Sequence, residues 1–386
     1  MRGVHDFCLE NHRGIFRLSG MARALRKNDN NTPIKGLLFC SEFRSANGYG
    51  ELCLNLAKHL SELTDVSIAT PSIYHAAIRS IGLGHKIVGC YWDRYTNVNA
   101  VLQIHPPEDP HFKIWANHRV FLTMWESSKL RAADLSFMQK QDLILTPNTH
   151  NAQQFAEATG KPSEAVYVGC NKNIYREDVE SFRDRMQDVN RPFVFGAAAD
   201  LRHCSPRKGF DRILRWFAEA FPSGENVRLS LKANNQRGKN FKTQDKRISL
   251  VFEDTSSEDC AAWLRSLDCY VDASTFEGWG MWTHAAMATG RPVIATNYSA
   301  RNDYFQFNNH IPIGYQLASS EGMFTGLGHW AMPSHSDAVK AMRWASCNRA
   351  SCVEIAEEAV RTTRHLTWQA MAENVYKAMR KHKIRV

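Results

Sequence analysis

Short apolar runs rich in β-branched residues alternate with amphipathic segments along most of the chain. The runs predict strands at residues 36–41, 66–70, 100–104, 119–124 and 143–147, and again at 193–198, 228–233, 248–252, 269–273 and 292–296. Apolar positions three and four residues apart predict helices between them, for example at 51–60, 152–160, 209–221 and 257–267. Strands that alternate with helices in this way predict parallel sheets covered by helices on both faces.

The charged stretch 173–192 divides this pattern into two series, because it has no strand character and ends in proline. A chain of 386 residues also exceeds one ordinary hydrophobic core. We therefore predict a basic N-terminal segment, an N-terminal Rossmann-like domain, a C-terminal Rossmann-like domain and a final helix, at 1–35, 36–190, 191–366 and 367–386. Two doubly wound domains that face each other leave a cleft at the carboxyl ends of both sheets, where such folds bind ligands.

The composition is typical of a soluble globular protein, with 44% hydrophobic and 23% charged residues. No apolar run approaches the roughly 20 residues of a membrane helix, and the first residues lack the apolar core of a signal peptide. Ten cysteines without a Cys-x-x-Cys pair indicate reduced thiols. We therefore expect a cytoplasmic protein with no transmembrane segment, and the sequence does not predict its oligomeric state.

The formal net charge is +9, and basic residues are concentrated at 13–35, 237–247 and 377–385. One interpretation is that these segments are solvated faces and a frayed terminus. The other is a polyanionic partner, either nucleic acid or an anionic membrane surface that residues 18–27 would contact as a basic amphipathic segment. Charge alone does not separate these interpretations.

The first candidate for chemistry is the stretch RHCSPRKG, in which Arg202 and Lys208 lie in the loop after the strand at 193–198. A loop that leaves a parallel strand and enters a helix directs backbone N–H groups and the helix dipole at a ligand. Two added cations make a clamp for a diphosphate, which neutralises a departing phosphate without a metal ion. Lys232 ends the next strand along the chain and is expected at the same edge of the sheet.

The second candidate is the stretch STFEGWGM, which follows the strand at 269–273. Gly278 and Gly280 allow a close approach of the backbone to a ligand, and a helix that begins near Met281 presents free N–H groups. Glu277 beside such an anion-binding helix start suits a ligand that carries both hydroxyls and phosphate, such as a sugar diphosphate. The alternative is an ordinary first-turn acid, worth up to about 1 kcal/mol.

The whole motif, SxFEGWGxxxxxAMAxGRPVIAT, resembles the donor-site signature of retaining nucleotide-sugar glycosyltransferases of the GT-B fold, family four. In that family the first glutamate, here Glu277, holds the hydroxyls of the donor sugar. A second glutamate usually follows eight positions later and binds the nucleotide ribose, but this chain has Ala285 there. The resemblance therefore leaves the donor nucleotide open between a UDP-sugar and a GDP-sugar.

Other stretches extend the resemblance over most of the chain. SANGYGELCLNLAKHL resembles the family's glycine loop near the donor phosphates, and VFEDTSSEDC resembles the loop that frames the nucleotide base. In LILTPNTHNAQQ, Asn148 and Thr149 replace the family's usual serine. The donor-binding residues that the resemblance implies are Gly48, Gly50, Lys232, Phe252, Glu253, Asp254, Gly278, Trp279, Gly280 and Met281.

Three residues at strand ends of the first domain complete the predicted site. His105 stands where family members often have a histidine that contacts the donor sugar, although a packed or loop-capping histidine fits equally well. Trp125 and Glu126 would line the acceptor side, although a tryptophan at such a position is more often part of a core. The resemblance thus implies a catalytic set of Arg202, Lys208, Glu277 and His105.

The resemblance implies a retaining, metal-independent glycosyltransferase that uses a nucleoside diphosphate sugar and has no permanently bound cofactor. The departing phosphate, held by Arg202 and Lys208, would assist deprotonation of the incoming hydroxyl. We expect the acceptor to be a surface polysaccharide or a lipid. One alternative is DNA with hydroxymethylated bases, flipped into the cleft. The other is a non-catalytic polyanion-binding protein, suggested by Ala285.

Overall fold

The computed structural model describes residues 29–30, 34–43, 48–108, 110, 112–199, 205–222, 224–233, 243–251 and 256–386, and their strands form three sheets. The strands are β1 Asp29–Asn30, β2 Ile34–Ser41, β3 Val66–Ala69, β4 Ile87–Gly89, β5 Arg94–Ile104, β6 Ile114–Leu122, β7 Leu143–Thr146, β8 Ser163–Ala165, β9 Phe193–Ala199, β10 Val227–Ala233, β11 Ile248–Val251, β12 Cys269–Val271, β13 Val293–Thr296, β14 Ile311–Ile313, β15 Tyr315–Ser319 and β16 His329–Pro333.

The α-helices cover these sheets and follow the predicted alternation. They are α1 Gly48–Leu60, α2 His75–Ser80, α3 Ala132–Met138, α4 Thr149–Thr159, α5 Val179–Gln187, α6 Ser205–Lys208, α7 Phe210–Ala220, α8 Ser257–Ser266, α9 Met281–Ala288, α10 His335–Cys347, α11 Arg349–Thr363 and α12 Trp368–Lys381. Short 3₁₀ turns are found at Ser72–Tyr74, Gly84–Lys86, Ser299–Asp303 and Gly322–Phe324. None of these helices is long and apolar enough to cross a bilayer.

In the described part of the chain, the first sheet has the order β4-β3-β2-β5-β6-β7-β8, with β1 beside β5. The second sheet has the order β11-β10-β9-β12-β13-β14. Every pairing in both sheets is parallel, which confirms the predicted architecture of two parallel α/β sheets. The hairpin β15–β16 is antiparallel and separate from both sheets.

Most predicted strands agree with the structure to within a residue or two, but β5 and β6 begin earlier than their apolar runs. In β5 only two of the first six residues are buried, whereas the last five are buried without interruption. The predicted link at 173–192 contains the helix α5, which buries Phe182 and Met186 four residues apart on one face. Most of the basic segments at 1–35 and 237–247 lies outside the described residues.

The last helix, α12, crosses back onto the first sheet's domain, as predicted. Met371 and Val375 of α12 share a hydrophobic core with Leu56 of α1. The contact is tight, because a Cβ atom at Gly169 would lie 2.1 Å from the backbone nitrogen of Trp368. Beyond the helix, the backbone oxygen of Arg385 accepts a 2.5 Å hydrogen bond from the Asn99 side chain.

Candidate active site

The candidate site lies where both sheets have their topological switch points, between β2 and β5 and between β9 and β12. At the carboxyl edge of the second sheet, the connections from β9 and β12 carry Lys208 and Glu277. At the same edge of the first sheet, those from β2 and β5 carry Gly48 and His105. The two edges approach closely, since a Cβ atom at Gly48 would lie 3.0 Å from Met281 Sδ.

Glu277 is a buried carboxylate that two cations neutralise. Lys208 Nζ donates a hydrogen bond to Glu277 Oε1, and Arg207 Nη1 lies 3.3 Å from the same oxygen. Arg207 Nη1 also donates to the Phe276 carbonyl oxygen at 2.5 Å. Burial opposes ionisation of Glu277, but the charges of Lys208 and Arg207 outweigh it and hold the pKa of this carboxyl below its ordinary value. The site therefore holds an ionised acid beside two cations.

Arg207 also binds a second carboxylate, which comes from the other domain. Its Nη2 lies 2.9 Å from Glu126 Oε1. Burial, reinforced by the like charge of Glu277, raises the pKa of Glu126 in spite of the opposing charge of Arg207. The environment thus separates the pKa values of the two carboxyls, keeping Glu277 ionised and making Glu126 easier to protonate.

The segment after Glu277 is fixed by its backbone. Gly280 has a φ of 85° and is the residue from which α9 begins. This left-handed conformation favours glycine. The Gly278 carbonyl accepts a 2.6 Å hydrogen bond from Asn148 Nδ2 of the first domain. The N-terminus of α9, with its free N–H groups, is thereby held at the junction of the domains.

A buried ion pair supports this segment from behind. Asp272 follows β12, and its Oδ2 accepts hydrogen bonds from Arg301 Nη1 and Thr283 Oγ1, each at 2.8 Å. Although burial disfavours the ionised form, Arg301 and Lys208 lower the pKa of Asp272 to about 2. Arg301 is fully buried and also donates to the Ser274 carbonyl at 2.9 Å, so the pair ties three segments behind Glu277 together.

Two donor-motif residues lie in packed surroundings. The Trp279 side chain is buried; its indole donates to His284 Nδ1 at 3.0 Å and stacks on Tyr167 of the first domain at 5.7 Å. Ala285, at the position of the missing acid, is 6% exposed on α9. Any role of Trp279 in donor binding stays a prediction.

Lys232 is the penultimate residue of β10, at the predicted edge of the sheet, and is 5% exposed. No hydrogen bond or ion pair of its Nζ is present among the described residues. Gly50 is buried inside α1, directly after Gly48 and Tyr49. The predicted residues Arg202, Phe252, Glu253 and Asp254 lie outside the described residues, so their roles also stay predictions.

His105 and Trp125 are packed against aromatic side chains. The His105 ring centroid lies 4.6 Å from that of Phe121 and 5.4 Å from that of Phe137, and its Nδ1 is 2.7 Å from the Pro106 carbonyl oxygen. Trp125 is buried and donates through Nε1 to the Lys129 carbonyl at 2.9 Å. The structure thus joins Lys208, Glu277 and Glu126 in one cluster through Arg207, and the roles of His105 and Trp125 stay predictions.

Sequence reasoning missed Arg207, Asp272 and Arg301, and assigned no role to Asn148. Arg207 directly precedes Lys208, and Asp272 is a charged residue at the end of a buried strand, so both could have been identified as site residues from the sequence. Arg301 carried none, because its partner Asp272 is fixed only by the path of the chain between β12 and the turn at Ser299–Asp303.

Comparison with known proteins agrees with the fold described above. Residues 192–310 match the family model described as glycosyl transferases group 1. Among solved structures, HepE from Anabaena in complex with UDP and glucose is similar, with a TM-score of 0.62 at 12% identity, over 89% of this chain and 99% of that one. No curated protein matches the sequence.

Two further structures are similar over nearly the same length. Sucrose-phosphate synthase from Thermosynechococcus elongatus has a TM-score of 0.63 at 11% identity, over 89% of this chain and 98% of that one. WaaG, a glycosyltransferase involved in lipopolysaccharide biosynthesis, has a TM-score of 0.58 at 12% identity, with the same coverage. The chain therefore has the GT-B fold. Its residues 192–310 match the model of the group 1 glycosyl transferases, the kind of family that the resemblance of its sequence indicated.

Proposed function

We propose that this protein transfers a sugar from a nucleoside diphosphate sugar to an acceptor hydroxyl, with retention at the anomeric carbon and without a metal ion. The observation that carries the proposal is the contact of Lys208 with the buried, ionised Glu277 beside the N-terminus of α9. An anion-binding helix start next to a hydroxyl-binding carboxylate suits a sugar joined to a diphosphate.

Each group has a distinct role in this proposal. Lys208 and the backbone N–H groups of α9 bind the diphosphate and stabilise the charge that develops on it as the glycosidic bond breaks. Glu277 accepts hydrogen bonds from the sugar hydroxyls and orients the ring. The departing phosphate accepts the proton of the acceptor hydroxyl, and Arg202 assists Lys208 at the phosphate.

Similar structures and the charge of the chain support our choice of donor and acceptor. HepE was solved with UDP and glucose, which makes UDP-sugars the first donors to test and GDP-sugars the second. WaaG is involved in lipopolysaccharide biosynthesis, and the net charge of +9 suits an anionic surface. We propose a lipid-linked or polysaccharide acceptor, reached by a cytoplasmic enzyme at the membrane surface.

The test is a screen of UDP- and GDP-sugars with a lipopolysaccharide acceptor, plain DNA and hydroxymethylated DNA, scored by nucleotide release and by mass of the product. We expect transfer from one donor to the glycan acceptor, with an α-linkage from an α-linked donor by NMR and full activity in EDTA. Lys208→Ala should lose about 100-fold or more in kcat, since it removes a preorganised cation.

The matched control is Lys340→Ala, which removes an exposed lysine on α10. Transfer to hydroxymethylated DNA alone would contradict the proposed acceptor. Turnover that survives both Lys208→Ala and Glu277→Gln would contradict the proposed site. Binding of a polyanion without turnover of any donor would favour the non-catalytic alternative.

A further inference from the structure

Arg207 is the one cation of the described site that contacts carboxylates from both domains. It is 3% exposed, and its two terminal nitrogens divide their partners, with Glu277 and the Phe276 carbonyl on Nη1 and Glu126 on Nη2. A guanidinium is planar and rigid, so its position relative to one partner fixes its position relative to the other. Arg207 thus joins Glu126 and Glu277 through one rigid group.

The loop that carries Glu126 is itself held by the second domain. Trp330 Nε1 donates to the Glu126 carbonyl at 2.8 Å, and the His329 amide donates to Ser128 Oγ at 2.7 Å. The Lys129 amide and the Ser127 hydroxyl both donate to the Leu327 carbonyl, at 3.1 and 2.5 Å. Residues 126–129 thus take their position from residues 327–330 across the domain boundary.

The contacts of Glu277 show how its carboxylate is held in this arrangement. Lys208 and Arg207 both contact Oε1, and within the described residues no hydrogen bond to Oε2 is present. A carboxylate that two cations contact through one oxygen can present its other oxygen to a ligand. Arg207 restricts that carboxylate from a fixed point, because its rigid guanidinium is also bound to the Phe276 carbonyl at 2.5 Å, whereas the flexible stem of lysine leaves its ammonium free to follow a ligand.

We infer that Arg207 is a positioning residue, which aligns Glu277 with the donor sugar only while Glu126 is held against it by the second domain. Closure of the cleft and orientation of the Glu277 carboxylate then occur together. This inference rests on the proposed function, since it assigns the coupling a purpose in sugar transfer.

The first test measures the coupling without any substrate. Hydrogen–deuterium exchange is compared between the wild-type protein and Glu126→Gln, with Glu354→Gln, an exposed acid on α11, as the matched control. Glu126→Gln should increase deuterium uptake in the peptide covering 270–282, although that peptide belongs to the other domain. Increased uptake confined to residues 120–130, or none at all, would overturn the inference.

The second test measures kinetics with the donor that the wild-type enzyme uses. We expect Glu126→Gln and Arg207→Lys each to lower kcat about tenfold with the donor KM changed less than twofold, and the double variant to be no slower than the slower single one. Arg380→Lys, an exposed arginine on α12, is the control. The acid limb of the kcat profile should move in Glu126→Gln, because that carboxyl no longer titrates.

The two tests separate the two ideas. Unchanged kcat with lowered thermal stability, or additive losses in the double variant, would show a merely structural role and overturn the inference in an active enzyme. If exchange in 270–282 responds to Glu126→Gln but no donor turns over, the proposed function fails. The coupling then stands as a property of the fold, and its assigned purpose is overturned.

Discussion

His284 offers the sharpest test of the electrostatics, because it is a histidine that folding keeps neutral. Its side chain is 2% exposed, and its Nδ1 accepts a hydrogen bond from Trp279 Nε1 at 3.0 Å. The proton of the neutral ring is therefore on Nε2. Burial, together with the charges of Lys172 and His365, lowers the pKa of His284 to about 3.

The sign of the effect on stability follows from the two states. Above pH 6.5 the ring is neutral in both the folded and the unfolded chain, so it adds no pH dependence. Below pH 6.5 the unfolded chain binds a proton that the folded protein does not bind until about pH 3. The free energy of unfolding therefore falls by about 1.4 kcal/mol per pH unit, or about 2 kcal/mol between pH 6.5 and 5.

The perturbation is His284→Leu, which removes the titrating ring but keeps an apolar side chain on α9. It leaves the Trp279 donor without its acceptor, which lowers stability by about 1–3 kcal/mol at every pH. The decisive quantity is therefore the change between pH 7 and 5, measured by urea unfolding with tryptophan fluorescence. We expect this change to be about 2 kcal/mol smaller in His284→Leu than in the wild-type protein.

His85→Gln is the control, since His85 is an exposed histidine and its replacement should leave the loss between pH 7 and 5 as in the wild-type protein. If His284→Leu and the wild-type protein lose the same stability over this range, the ring is not held neutral by burial. Burial and the charges of Lys172 and His365 would then not set the protonation state of His284.

Two further predictions concern buried charges behind and within the donor motif. Asp272→Asn should lower the free energy of unfolding at pH 7 by about 3–5 kcal/mol because it leaves Arg301 buried and unpaired. Wild-type Asp272 stabilises the fold above its unfolded pKa near 4, and this contribution fades as the pH falls towards 2, so the two proteins should converge in stability in acid. The control is Asp211→Asn, which breaks an exposed ion pair and should change the free energy of unfolding by less than about 1 kcal/mol. A loss as large in Asp211→Asn as in Asp272→Asn would contradict the prediction. Ala285→Glu should lower the melting temperature, because it buries a carboxylate at a site that is 6% exposed. UDP should raise the melting temperature more in this variant than in Ala285→Gln. Equal shifts with UDP would show that position 285 does not face the ribose.

The sequence predicted the architecture well because both sheets are buried on both faces. A strand without a solvent-facing side is a continuous apolar run, as in β7 and β13, and such runs are easily found. The hairpin β15–β16 was missed because Tyr315–Ser319 is mostly exposed and lacks that run. Its position depends on contacts with residues 126–129 of the first domain, which no local pattern records.

The candidate site was predictable only as far as it is local. Glu277 and Lys208 each belong to a short motif at a strand end, and the structure places them in contact. The role of Glu126 depends on Arg207, a residue of the other domain, so the pair becomes visible only after the fold brings the two sheet edges together. A motif specifies the chemistry of one edge, whereas the charge balance of a cleft depends on both.

The glycines of the donor motif illustrate how the local motif and the contact between the domains depend on each other. The sequence suggested that Gly278 and Gly280 let the backbone approach a ligand, and Gly280 has the positive φ that favours glycine. Gly278 has a different requirement, because a Cβ atom there would lie 2.9 Å from the Cβ and Sδ atoms of Met124 in the first domain. A side chain at 278 would hold the domains apart and lengthen the contact of Arg207 with Glu126. The packing at Gly278 and the alignment of Glu277 thus both require the same short distance between the two domains.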